Sequence, residues 1–384
     1  MLSLVLLLTL ISFTLAKYKA ILVAGSNGWE NYRHQADTFH AYTELIQNNI
    51  SVNDIILFAY NDIAYNPLNP TPGVILNRPN GPNVFPGNAS ITYSGNDVTP
   101  EKFLSTLKNL SDPNLDLLIF FSDHGGPGLL CFPNEYLYAD QLQAAILAME
   151  YKSLFFVVEA CEAGSMFDGW FPVKTSALVL SATNPFESSW ACYYDPQLDT
   201  YLGDYFSVNT LQFLDPADTY IETLELLSRV VQDQTTTSPV SLYGDMRLLN
   251  KHIYMYWGFK HGGVQDTDDI VRKILTDSRD VPYEIGLRTQ HDRRFDYIRQ
   301  QDKVERLLYD KLRSALRRQS NIAFDTYKSP VNVKCIRACV TILSERRIKL
   351  SGYSNLFIKT IASVCDHTSD IQAIKLMISI SKNV

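Results

Sequence analysis

"DLLIFFSDHGGPG", residues 116–128, decides the fold. Its apolar half is continuous rather than alternating, which is how a strand covered on both faces reads, and such strands belong to parallel sheets. It then breaks at once into small and polar residues. The same kind of run recurs as "YKAILVA" (18–24), "DIILFAY" (54–60), "SLFFVVEA" (153–160), "ALVLSAT" (177–183) and "HIYMYWG" (252–258). Between these runs lie helical patterns at 34–49, 100–110 (with Pro100 in its first turn), 139–151 and 218–233. Strand and helix in alternation predict an α/β domain, a mostly parallel six-stranded sheet flanked by helices on both faces. The segment from Asn61 to Asp97 fits neither pattern; with six prolines it reads as a functional surface loop or a disordered one.

In sheets of this class ligands bind beyond the carboxyl ends of the strands. Two polar clusters fall there, "SDHGGPG" (122–128) and "EACEAGS" (159–165), which brings His124 and Cys161 to neighbouring strand ends. A thiolate is the reactive form of cysteine, and an adjacent imidazole favours it, so the pair suits nucleophilic catalysis. Gly125 would let a backbone N–H face a developing oxyanion. Three alternatives stay open: Cys161 as a buried structural cysteine, Cys161 in a disulfide with Cys131 or Cys192, and His261, in "FKHGG", as the base instead of His124. The reading calls for no cofactor and no metal.

The chain begins with "MLSLVLLLTLISFTLA" (1–16), an uncharged run shorter than the ~20 apolar residues of a membrane span and closed by a small residue. It reads as a signal peptide cleaved before Lys17, with an uncleaved anchor as the alternative because no Lys or Arg precedes it. No later segment is apolar enough to span a bilayer. Asn-x-Ser sequons at Asn49, Asn88 and Asn109 agree with a secretory route. Charge divides the chain: residues 1–263 hold 12 Lys/Arg against 26 Asp/Glu, whereas 264–384 hold 22 against 15. The halves therefore carry about −14 and +7. The basic residues of the second half alternate with acids at helical spacing, the mark of a solvated face rather than of nucleic-acid binding.

Four blocks carry a resemblance: "AGSNGWENYRHQAD" (24–37), "SDHGGPG" (122–128), "EACEAGSMF" (159–167) and "NPFESSWACYYD" through "YLGDYFSVN" (184–209). In order and spacing they resemble the legumain (asparaginyl endopeptidase) family of caspase-like cysteine peptidases. The resemblance covers residues 18 to about 260 well and the remainder in outline. It implies a caspase-like sheet, Cys161 as nucleophile, His124 rather than His261 as base, and the N–H groups of Gly125 and Cys161 as oxyanion donors. Asn31 would orient the imidazole, with a turn residue as the bland alternative. Arg33, His34, Glu159, Ser188 and Asp204 would form a pocket for an asparagine side chain, whose carboxamide offers one acceptor and two donor hydrogens. An ordinary ion pair between Arg33 and Asp204 is the alternative.

The implied organisation is a signal peptide (1–16), a peptidase domain (17–260), an activation linker (261–291) and a helical prodomain (292–384) that inhibits until acid releases it. "DRRFDYIRQQDKVERLLYDKLRSALRR" (292–318) supplies its longest amphipathic pattern. Two features depart from the family. Family prodomains commonly carry two disulfides, whereas Cys335, Cys339 and Cys365 allow at most one bridge among themselves. Residues 261–320 also lack asparagine, so cleavage there would fall at an aspartate such as Asp277 or Asp292, or to another protease. The expectation is a zymogen of the secretory pathway, secreted or bound for a lysosome-like or vacuole-like acidic compartment, that cleaves proteins and peptides after Asn, and after Asp in acid. The alternatives are a ligase (transpeptidase) using the same pair, and a non-catalytic secreted binding protein.

Overall fold

The computed structural model of the protein describes residues 17–171, 176–260, 326–346 and 355–381, together with Lys311. The long pattern at 292–318, His261, Asp277 and Asp292 lie outside the described residues, apart from Lys311 within that pattern. No described helix is long and apolar enough to cross a membrane.

Along the chain run β1 (Lys17–Ala24), α1 (Tyr32–Gln47), β2 (Ile55–Phe58), α2 (Pro100–Asn109) and β3 (Leu115–Ser122). A small three-stranded sheet follows, β4 (Gly125–Gly126), β5 (Leu129–Cys131) and β6 (Tyr136–Tyr138), then α3 (Ala139–Ala148), β7 (Ser153–Glu159) and β8 (Ala177–Ser181). Next come the antiparallel ribbon β9 (Ala191–Asp195) and β10 (Thr200–Asp204), α4 (Tyr205–Leu214), α5 (Leu224–Gln234), β11 (Ser241–Gly244) and α6 (Tyr254–Trp257). Helices α7 (Val333–Glu345), α8 (Asn355–His367) and α9 (Asp370–Ser381) complete the described part.

The central sheet has the order β11-β8-β7-β3-β1-β2, parallel throughout except for β11 at its edge. The continuous apolar runs are explained by burial on both faces. Leu22, Phe120, Val157 and Leu180 face one core with α1, α4 and α5, while Val23, Phe121, Val158 and Val179 face the other with α2 and α3. The mostly parallel α/β sheet agrees with expectation.

One strand was misassigned. "HIYMYWG" is not the sixth strand: Ile253, Tyr256 and Trp257 are fully buried and His252 and Tyr254 are exposed, which is helical spacing, and the segment carries the short helix α6. The sixth strand is β11, four half-buried residues on an edge, too short and too little apolar to stand out. Helix α4 also went unread because eight of its residues are buried and it shows no polar face. The stretch 61–97 is ordered, pinned by asparagine side chains. Asn69 Nδ2, for example, donates to the carbonyls of Ala64 and Val74, both at 3.0 Å. All three sequon asparagines are exposed, and the Asn49 amide donates to Phe259 O at 3.0 Å.

The terminal helices form a third apolar cluster with the small sheet, in which Ile336, Val340, Phe357 and Ile361 pack with Leu129, Cys131 and Tyr138. Cys335 and Cys365 form a disulfide and Cys339 remains a buried thiol, within the single bridge that three cysteines permit.

Trp257 ties α6 to the sheet by an edge-on contact with Phe120 at 6.2 Å. Trp257→Ala should cost about 3–5 kcal/mol in urea unfolding, from lost contact and the cavity left behind. A loss below ~1 kcal/mol would remove α6 from the core.

Candidate active site

The pairing of β3 with β7 sets the site. Ser122 is in register with Glu159, so the chain positions two residues further on, His124 and Cys161, leave adjacent strand ends together. Gly125 confirms how close the two loops run: a Cβ there would meet Cys161 O at 2.5 Å and Ala160 Cβ at 2.9 Å. Only glycine fits that approach. Ala24, the last residue of β1, pairs with Ser122, which brings the following loop, with Asn31, to the same end.

Asn31, His124 and Cys161 are all buried. His124 Nε2 lies 2.9 Å from Asn31 Oδ1, while Asn31 Nδ2 donates to Asn27 O at 2.9 Å. With its amide N–H so engaged, Asn31 presents its oxygen, and His124 Nε2 must carry the hydrogen. Nδ1 is then the basic nitrogen in the neutral ring. Cys161 Sγ points at Ser189 O at 3.7 Å. Cys161 forms no disulfide, and neither do Cys131 and Cys192; both of these are buried, and burial pushes their thiols up.

The remaining predicted residues form an adjoining cluster. Arg33 Nε donates to Asp204 Oδ1 at 3.0 Å and Arg33 Nη1 donates to Glu30 O at 3.1 Å. The ion pair allowed as an alternative is therefore present. His34 sits among Ser26 Oγ (2.7 Å), Asp123 Oδ1 (3.2 Å) and Asp204 Oδ2 (3.7 Å), edge-on to His124 at 4.8 Å. Burial first, then the Arg33 and His124 charges, hold His34 well below its ordinary pKa, so it is neutral. Glu159 Oε2 accepts from Ser207 N at 2.9 Å and from Ser207 Oγ at 3.1 Å. Burial, then the Asp204 charge, push Glu159 up to about 8 against these bonds. Asp37, hydrogen-bonded to Asn77 and Ser122, is raised by burial first and Asp204 second. Asp123 is raised by burial. Three buried carboxylate oxygens here, Asp123 Oδ1, Glu159 Oε1 and Asp204 Oδ2, accept no hydrogen bond.

Ser188 stands apart from that cluster. Its hydroxyl donates to Glu162 Oε1 at 3.1 Å, and Lys359 Nζ from α8 reaches the same oxygen at 2.5 Å. Glu162 follows Cys161 in the chain, is fully buried and adopts a left-handed conformation at φ 51°. The basic side chain that the C-terminal region brings here thus meets Glu162 rather than Asp204 or Glu159. Sequence reasoning also missed Asp37, Asp123, Ser189 and Ser207. All four stand inside the quoted blocks, yet only the strand register shows that they converge.

The chain matches the Peptidase C13 family over residues 18–259. It is similar to legumain of Rattus norvegicus, 40% identical over 289 residues, or 70% of this chain and 66% of that protein. Legumain of Homo sapiens is 39% identical over the same shares. The vacuolar-processing enzyme of Citrus sinensis is 39% identical over 62% of this chain and 54% of that one. The matches thus span about two thirds of these relatives' length or less. Caspase-1 from Spodoptera frugiperda aligns at 14% identity over 65% of this chain and 92% of that one, with a TM-score of 0.38, too slight a likeness to carry weight.

The buried carboxyls make a thermodynamic prediction. Asp37, Asp123 and Glu159 bind protons more tightly folded than unfolded, so their contribution is complete below the unfolded carboxyl range, ~4–4.5, and is lost as pH rises, for Glu159 through about 8. Unfolding of the Cys161→Ala chain should show a midpoint that falls from pH 5 to pH 8, and Glu159→Gln should flatten that slope by on the order of 1 kcal/mol per pH unit. A midpoint that rises across this range would contradict the assignment.

Proposed function

This chain belongs to the Peptidase C13 family, and on that premise we propose that it is the zymogen of a cysteine endopeptidase that cleaves after asparagine. One observation carries the reading: the Ser122–Glu159 register delivers Cys161 and an Asn31-oriented His124 to adjacent strand ends. The Sγ proton passes to His124 Nδ1, and the thiolate attacks the scissile carbonyl. The oxyanion is held by the N–H groups of Gly125 and Cys161. The departing amine takes the proton back from Nδ1, leaving a thioester, and a water deprotonated by the same nitrogen hydrolyses it.

Specificity is argued from what an asparagine side chain needs. Arg33 donates to the carboxamide oxygen, and the two amide hydrogens meet Glu159 Oε1 and Asp204 Oδ2, two of the buried acceptors without hydrogen bonds. His34 stays neutral and braces Asp204 and His124. An aspartate side chain fits only when protonated, because its charge would face Asp204. This suits an enzyme of an acidic compartment reached through the secretory pathway.

The C-terminal helices act as the inhibitory cap. Lys359 bonds Glu162 beside the nucleophile and also lies 3.4 Å from Phe186 O and 3.5 Å from Ser188 Oγ. Tyr327 Oη donates to Pro185 O at 2.8 Å, and Arg337 pairs with Asp140. The Lys359 and Tyr327 contacts cover the 185–189 loop that borders Cys161. Carboxylate–cation contacts weaken as pH falls into the ordinary carboxylate range, ~4 to 6 with local shifts, and the cap then departs.

Quenched peptides differing only in Asn, Asp, Gln or Ala before the scissile bond test the assignment. Acid-treated protein should cleave after Asn, and after Asp only in acid. Cys161→Ala and His124→Ala should be inactive, and Arg33→Ala should lose on the order of 3 kcal/mol in kcat/KM for Asn. Efficient Asp cleavage at pH 7, or activity without Cys161, would refute it. Cap contact is tested separately. Lys359→Ala should let the uncut chain cleave peptide at pH 6 to 7, where the parent is silent; full activity of the uncut parent at pH 7.5 would show that the helices do not inhibit.

A further inference from the structure

Away from the peptidase site, one turn of α1 buries His40 and Glu44 on the same face, and Asp215, which caps the carboxyl end of α4, closes on them. His40 Nε2 lies 3.0 Å from Asp215 Oδ1, and one donor atom from each of the three residues falls within 4.8 Å of the others. The tautomer follows from the surroundings. Asn77 spends its Nδ2 hydrogens on Asp37 Oδ1 (2.7 Å) and Leu202 O (3.1 Å), so the atom it presents to His40 Nδ1 at 2.8 Å is a carbonyl oxygen. Nδ1 therefore carries hydrogen, and Nε2 is the nitrogen aimed at the carboxylates. A carbonyl oxygen accepting from the far ring nitrogen is what fixes the orientation of metal-ligating histidines.

The acids are placed where only a positive species suits them. Asp215 stands at the negative end of a helix, and Glu44 Oε2 is buried without a hydrogen bond, its nearest ion-pair partner being Lys260 Nζ at 3.9 Å. Arg78 Nη2 approaches Asp215 Oδ2 at 3.5 Å, and Lys260 also donates to Asp215 O. Neither cation comes as close to a carboxylate oxygen as His40 Nε2 does. Without a further positive species, a neutral Nε2 lone pair would face a carboxylate at 3.0 Å. A proton can fill that place, and so can a divalent ion.

We propose that His40 Nε2, Glu44 and Asp215 form a site for a divalent transition-metal ion of the zinc class, completed by water. One imidazole and two carboxylates are an N/O set that zinc accepts, at ~2.0–2.2 Å to each ligand. Closing the cluster to those distances asks about an ångström of movement from the carboxylate ends. The sequence reading called for no metal; the spacing of His40 and Glu44 by four residues on one helix was its only trace. Through Asn77 the site joins α1 and α4 to Leu202 of β10, and it uses no residue of the peptidase machinery.

Binding must displace the proton between His40 and Asp215 and that on Glu44, with Lys260 and Arg78 opposing the ion's charge, so affinity should fall as pH falls. The test uses the full chain carrying Cys161→Ala, titrated with zinc chloride at pH 7.5 and at pH 5.5. One ion should bind at micromolar concentration or tighter, raise the unfolding temperature, and bind at least tenfold more weakly at pH 5.5. Glu44→Gln and Asp215→Asn should each weaken binding at least tenfold. X-ray absorption of the bound zinc, which needs no change in the cluster, should show only N/O ligands including one imidazole. Sulfur in that shell, binding within twofold of the parent in both variants, or no binding below millimolar zinc would overturn the site.

Discussion

The parallel pairing of β3 with β7 is the constraint on which the rest depends. Side chains of a strand alternate between faces, so a slip of one residue would turn every core side chain of β7 to the opposite helix layer. Phe155 and Val157 would exchange places with Phe156 and Val158, and both cores would have to repack. The packing of two apolar layers thus holds the register. The register in turn brings His124 and Cys161 to adjacent strand ends, so the geometry of the candidate site is fixed by core residues outside it.

The same burial creates the electrostatic character of the site. Asp37, Asp123, Glu159 and Asp204 are carboxyls almost wholly removed from water around a single cation, Arg33. Ionising them all would leave several negative charges in a low dielectric against one positive charge, a far larger cost than protonating some. Protons therefore complete the cluster, and a cluster completed by protons is favoured in acid.

The apolar runs made the parallel sheet legible because burial on both faces leaves no polar residue to confuse the period. Their abrupt ends made His124 and Cys161 legible too. What could not be read was of two kinds. Helix α6 and strand β11 are four residues each, so four residues of pattern had to decide between periods of 2 and 3.6, and Tyr and Trp suit either. Contacts between segments distant in sequence were the second kind. Ser207 bonds Glu159 across 48 positions and Lys359 reaches Glu162 across nearly 200, and no local pattern encodes either.

The Lys359–Glu162 contact also changes how the opposite charges of the two halves are to be understood. Charges spread over −14 and +7 attract weakly across solvent, because exposed pairs contribute little and salt screens them beyond ~8–10 Å. Glu162 is fully buried and Lys359 is mostly covered, so this pair lies where screening is weak and where losing one partner strands the other. The buried pair, together with the apolar cluster of Ile336, Val340 and Phe357 on Leu129 and Tyr138, holds the C-terminal helices in place. Apolar contact does not respond to protons, so the pH-sensitive part of this interface is its few ionic contacts, and one of these sits on Glu162, the residue next to Cys161.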